Sequence, residues 1–155
     1  MRVLLAALLL VPGPALAADC TLASAIYRDK PSGYEIRFEP RGADRPLSQT
    51  NNFWLHLPDG PILEGKIEWS SGASRPIGTI GVQCDNDTGF CTYWEGLVYE
   101  LRDGAINTIA GEESAPPEQI LLTDLGASLF YSSLRPSYDM QFTPNDAFTF
   151  AGCSG

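Results

Sequence analysis

Positive charge and histidine are what this sequence has least of. Its 155 residues carry 10 Lys and Arg against 19 Asp and Glu, a net charge of −9, and one histidine. Without a basic patch to meet phosphates, a nucleic-acid partner is excluded. Anionic membrane surfaces are disfavoured for the same reason. A basic partner or a cation would suit the acidic surface, and solubility alone would also account for it. The acidic residues are dispersed, with no run longer than Glu112-Glu113, so there is no acidic tail. Internal repeats, low-complexity segments and a C-x-x-C pair are missing as well. After the first apolar run, no stretch approaches the roughly 20 residues that span a bilayer, so no membrane insertion of the processed chain is expected.

That first run has a different meaning. Met1-Arg2 is followed by apolar Val3 to Val11, a break at Pro12-Gly13-Pro14, and the A-x-A site Ala15-Leu16-Ala17. This is the layout of a cleaved secretory signal, so residues 1–17 are expected to be removed and the protein to work outside the cytoplasm, periplasmic or secreted. Residues 18–155 then form one domain, large enough to bury a core.

The body of the chain reads as β-structure. Tyr34 to Glu39 alternates apolar and polar residues. Phe53, Leu55 and Leu57 share one face of a strand, with Trp54 and His56 on the other. After Pro58-Asp59-Gly60-Pro61, alternation resumes with Leu63, Ile67 and Trp69 opposite Glu64, Lys66 and Glu68. Ile77 to Cys84 reads as a buried strand interrupted by glycines. Thr92 to Leu101 is a long strand in which Tyr93, Leu97, Tyr99 and Leu101 share a face. Asp103-Gly104 closes a hairpin, because this pair tolerates the positive φ of tight turns. Gln119 to Leu122 and Ala147 to Phe150 are short strands. Between them, Thr123-Asp124 offers a cap to a helix running through Leu125, Leu129, Phe130 and Leu134 and ending at Arg135-Pro136. Residues 20–28 are not assigned; a helix through Leu22 and Ile26 is the one candidate. The expected fold is mainly β, an antiparallel sandwich or barrel with one or two short helices, and α+β is the fallback.

Four cysteines in an exported chain point to disulfides. Cys84 and Cys91 flank turn chemistry at the junction of two strands, within reach across an antiparallel pair, which leaves Cys20 and Cys153 to tie the ends together. The intervening Asp85-Asn86-Asp87-Thr88-Gly89 also hints at calcium. It is not an EF-hand loop, since Phe90 and Gly96 stand where glycine and a bidentate glutamate belong. A looser calcium site using Asp85, Asp87, backbone carbonyls and Glu95 remains open; no other cofactor is expected. Asn86-Asp87-Thr88 fits the glycan acceptor pattern.

Catalytic patterns are thin. Gly60 to Lys66 matches the front of a phosphate-binding loop, but Ile67 replaces the required Ser or Thr and no helix follows, so it reads as a turn feeding a strand. His56 is the only residue on which a histidine triad could rest, with Asp59 nearby in sequence. Gly126-Ala127-Ser128 lacks the closing glycine of a nucleophile elbow. Glu64, Glu68, Glu95 and Glu100 lie on neighbouring strands, where paired carboxylates could hydrolyse glycosides. Trp54, Trp69 and Trp94 are expected in the core.

Ser71-Gly72-Ala73-Ser74-Arg75 is similar to the serine-glycine-alanine loop by which small periplasmic lysozyme inhibitors plug their target, although Pro76 stands where the motif closes on an aromatic. The resemblance implies an exported, compact, β-rich and disulfide-stapled inhibitor, and an acidic chain suits basic lysozyme. The reading that covers these features is a non-catalytic module binding a protein or envelope component. A small envelope-polymer hydrolase using carboxylates or His56, a lysozyme inhibitor and a calcium-dependent binding domain are the alternatives.

Overall fold

The computed structural model describes residues 20–84, 89–138 and 140–154. Among these, nine strands alternate with short turns: β1 (Ala25–Asp29), β2 (Tyr34–Glu39), β3 (Gln49–His56), β4 (Ile62–Ser70), β5 (Arg75–Gln83), β6 (Phe90–Arg102), β7 (Ala105–Thr108), β8 (Gln119–Leu122) and β9 (Ala147–Cys153). One helix, α1 (Leu125–Tyr131), lies between β8 and β9. Every pairing is antiparallel. β1 to β6 form a meander, β6 pairs β8, β8 pairs β9 and β9 returns to β1, while β5 also pairs β6. The ring therefore closes as an eight-stranded barrel, with β7 folded back along β6 outside it. Closure removes the free edges that an open sheet exposes.

Alternation decides what fills the barrel. Tyr27, Ile36, Phe38, Phe53, Leu55, Leu63, Ile67, Ile80, Trp94, Val98, Ile120 and Phe148 are buried in one core. Two large rings fit because glycine stands beneath them. A Cβ at Gly65 would sit 2.1 Å from the Phe53 ring, and one at Gly78 or Gly96 would sit 2.7 Å from the Trp94 indole. The gap left among Ile36, Phe53 and Val98 has no room for a water molecule, so the barrel is a packed core rather than a ligand chamber.

Two expectations need correction. In β6 the inward series is Trp94, Gly96, Val98 and Glu100, and the series with more aliphatic and tyrosine side chains is only half-buried on the outside. The Trp94 indole packs against the two glycines, and Glu100 is held by hydrogen bonds, so hydrophobic phase misread this strand. The helix is shorter than its periodicity, ending at Tyr131. Thr123 does not cap it: its hydroxyl accepts from Leu97 N and donates to Leu97 O, at 3.1 and 3.2 Å, extending the β6 edge. Arg135–Ser137 is a separate single turn. Residues 20–28, left unassigned from the sequence, contain one 3-10 turn, Leu22–Ser24, followed by strand β1.

The cysteines pair as Cys20–Cys153 and Cys84–Cys91, with Cα separations of 6.1 and 5.3 Å. Such bonds fit an oxidising, extracytoplasmic environment. No described helix is long and apolar enough to cross a membrane.

Candidate binding surfaces at the two barrel ends

The strand order divides the loops between two ends. The β2–β3 connection, the β4–β5 and β6–β7 turns, and residues 109–118 gather at what we term the hairpin end. The β1–β2 and β3–β4 turns and residues 123–146 gather at the opposite helix end. Nine residues of β4 at about 3.3 Å each separate the two by roughly 30 Å.

At the hairpin end, polar side chains close the barrel. Tyr27 donates from its hydroxyl to Pro117 O at 3.1 Å, and burial followed by the nearby Glu100 charge pushes its ionisation upward. Glu100 is buried, accepting from Arg102 Nε at 2.9 Å and Ala110 N at 3.1 Å. Arg41 reaches Gln49 O at 2.6 Å, and its backbone N–H donates to Glu112 at 2.7 Å. Among the described residues no buried side-chain polar atom lacks a partner.

Beside this seal stands the β4–β5 turn. Ser71, Gly72, Ala73, Ser74 and Arg75 are all exposed. Trp69 pairs with Pro76 and Ser70 with Arg75, so the strands hold the turn from directly beneath. Ala73 N donates to Ser70 Oγ, Ser74 takes a left-handed φ of 51°, and Arg75 donates to the Tyr99 hydroxyl at 3.2 Å. Trp69 is 46% exposed, its backbone N–H donates to Ser48 O at 2.7 Å, and Leu47, next to Ser48 in the chain, is 95% exposed. The hairpin tip thus has an apolar shoulder. The expectation that all three tryptophans enter the core holds only for Trp94. Trp54 lies half-buried on the outer face, donating to Glu39 at 2.7 Å.

The helix end is closed by Leu125, Leu129 and Leu134. One seam is polar: the buried Asp29 carboxylate accepts from Ser32 Oγ, from Asn145 N at 2.9 Å and from Asn145 Nδ2 at 3.1 Å. Burial alone would raise its pKa; the three donors outweigh it and hold the carboxyl below its ordinary value. Next to this seam opens a cleft of about 440 Å³, floored by Tyr34 and Leu57 and walled by Pro58, Asp59, Tyr138 and Phe142. Tyr34 donates to Phe142 O at 3.2 Å. Tyr138 and Phe142 are 41% and 69% exposed at the rim.

The hydrolytic candidates are not brought together. Glu64 and Glu68 face out from β4 towards Arg45, at 3.6 Å, and Lys66, at 2.9 Å. Glu95 lies across β5 from Lys66, two strands or about 10 Å away, and Glu100 points inward. His56 faces Glu35 across β2 and β3. Burial and the Arg37 charge lower its pKa against the opposing pull of Glu35. Glu35 is already bound by both Arg28 and Arg37, which overcome its burial and keep it ionised below the usual range. Asp85 and Asp87, the calcium candidates, and the acceptor Asn86 lie outside the described residues, as do residues 1–17, expected from the sequence to be a signal. No group of three or more His, Cys, Asp or Glu that could hold a metal occurs among the described residues.

Sequence reasoning missed Leu47 and the cleft. A faint signal was present: Tyr138 and Phe142 lie between Pro136 and Pro144 in a stretch without periodicity, where large apolar side chains have no core face to join. Comparison with known proteins returns no matching family model, no matching curated protein and no matching solved structure.

Proposed function

We propose that this protein is an extracytoplasmic, non-catalytic binding module that recognises a protein or envelope component through its hairpin end. The observation that carries this reading is the β4–β5 turn: five consecutive exposed residues on a rigid two-strand support, flanked by Trp69 and Leu47. Aromatic anchors beside a protruding loop are the composition of an interface core. The net charge of −9 favours association with a basic partner. The more specific form of this reading is a lysozyme inhibitor, in which Ser71 to Arg75 enters the cleft of the target.

Two variants test it. Replacing Ser71 to Ser74 by Asn-Gly keeps a tight hairpin and removes the plug, and Trp69→Ala removes the shoulder. Lysozyme turnover assayed with the intact protein should fall, and the short-turn variant should restore it without a change in melting temperature. Inhibition that persists in the short-turn variant rejects the hairpin as the contact. Native mass spectrometry of the protein taken from its own compartment covers the wider reading: a co-purifying partner should be lost from both variants.

A further inference from the structure

We propose that the cleft at the helix end is a second binding site, built to take the cationic side chain of a basic peptide, arginine above lysine. The proposal does not depend on the hairpin, which lies at the other end of the barrel.

Three features of the cleft converge on a cation. Its rim carries the exposed aromatic residues Tyr138 and Phe142 above the buried Tyr34, and an aromatic ring face attracts a cation by its quadrupole. Among the described residues its lining contains one charged side chain, Asp59, and no basic one. Asp59 is exposed, and among the described residues no Lys or Arg forms an ion pair with it. The carboxylate that opens onto the aromatic cleft is thus one left without an internal counter-ion. A planar guanidinium can stack on a ring while donating to a carboxylate at its edge, which is why arginine is preferred.

The backbone supports the placement. Leu57 to Gly60 forms a tight turn in which Gly60 N donates to Leu57 O, and Asp59 sits at φ 52°, in the left-handed region. Glycine would adopt this φ without steric cost, and aspartate does so with some strain. The volume of about 440 Å³ lies within the range of ligand sites and exceeds one side chain, so an extended peptide can seat an arginine with its neighbours.

The test titrates tri-arginine amide into the full mature protein, followed by amide chemical shifts. The largest shifts should fall at Asp59, Gly60, Gln141 and Phe142. Asp59→Asn keeps the side-chain shape and tolerates the positive φ, and it should weaken binding about tenfold. Phe142→Ala, at an exposed rim position, should weaken it about fivefold. The short-turn hairpin variant should bind as tightly as the parent, which separates this site from the hairpin reading. Neutral chitotriose serves as the competing probe. If tri-arginine shifts only hairpin-end amides, if Asp59→Asn binds as the parent does, or if chitotriose occupies the cleft more tightly than tri-arginine, the assignment is wrong.

Discussion

The two ends of this barrel are closed by different mixtures of chemistry, the hairpin end adding polar side chains to the buried Leu22 and Ile109. The hairpin end is sealed by hydrogen-bonded polar side chains, Tyr27 to Pro117, Glu100 to Arg102 and Ala110, and Arg41 to Gln49 and Glu112. The helix end is sealed by Leu125, Leu129 and Leu134, with a polar seam at the buried Asp29. Apolar closure contributes more free energy because it removes area from water, but it is non-directional and tolerates an open cleft beside it. Polar closure contributes little net energy and fixes which loops meet, since each partner must be found or left unsatisfied at a cost. The hairpin end thus supplies a rigid base for a protruding turn, and the helix end leaves a cavity.

The largest expected effect compares the two disulfides. Cys20–Cys153 closes 133 residues at the hairpin end, and Cys84–Cys91 closes 7 near the helix end. Loop-closure entropy assigns about 5 kcal/mol to the first and about 2.5 to the second. Urea unfolding of the Cys20→Ser/Cys153→Ser and Cys84→Ser/Cys91→Ser proteins should show this order. Equal losses would mean that local order in the unfolded chain, rather than loop length, sets the contribution.

Next come the seals themselves. Leu129→Ala removes a fully buried side chain from the helix end and should cost about 3 kcal/mol. Glu100→Gln, at the hairpin end, still accepts one hydrogen bond but no longer carries the charge that Arg102 faces, and should cost about 1 to 2 kcal/mol. The distinction lies in where the loss shows. Hydrogen exchange in Glu100→Gln should quicken at Ala110 and its neighbours while β3 and β4 stay protected. A global loss as large as that of Leu129→Ala would break the comparison, because the polar seal would then be a main source of stability.

How much of this was legible depends on what each strand face had to satisfy. β2, β3 and β4 pack one apolar face inward, and period-two alternation places Ile36, Phe53, Leu55 and Leu63 correctly. β6 breaks the rule because its inward face carries Gly96, needed beneath Trp94, and Glu100, needed by the polar seal. α1 begins at Leu125 as read but stops at Tyr131, where Ser132 turns extended and bonds back to Leu129 O; Thr123 gives it no cap because the β6 edge takes its hydroxyl, a long-range contact that no local capping signal records. The hairpin was legible as five small or polar residues between two strands. Its shoulder was not, since Leu47 and Trp69 are far apart in sequence and are brought to the same end only by the pairing of Trp69 N–H with Ser48 O. The cleft depends wholly on where an aperiodic, proline-bounded segment lands.

The smallest effect belongs to the polar seam within the apolar end, and its sign is set by Asp29. Donors from Ser32 and Asn145 outweigh burial and hold the folded carboxyl below its ordinary pKa of about 3.9. Between the folded and unfolded values the unfolded chain binds more protons, so stability rises with pH in that window. The contribution of Asp29 is therefore complete above about pH 4 and is lost as pH falls through the folded value. Asn at this position accepts one of the bonds without charge, so Asp29→Asn should cost about 1 kcal/mol at neutral pH and less as the medium is acidified. Urea midpoints of both proteins from pH 2 to 6 should converge on the acid side. Parallel curves would show that the carboxylate of Asp29 is not what ties residues 144–146 to the β1–β2 turn, and the helix end would then be apolar in its energetics throughout.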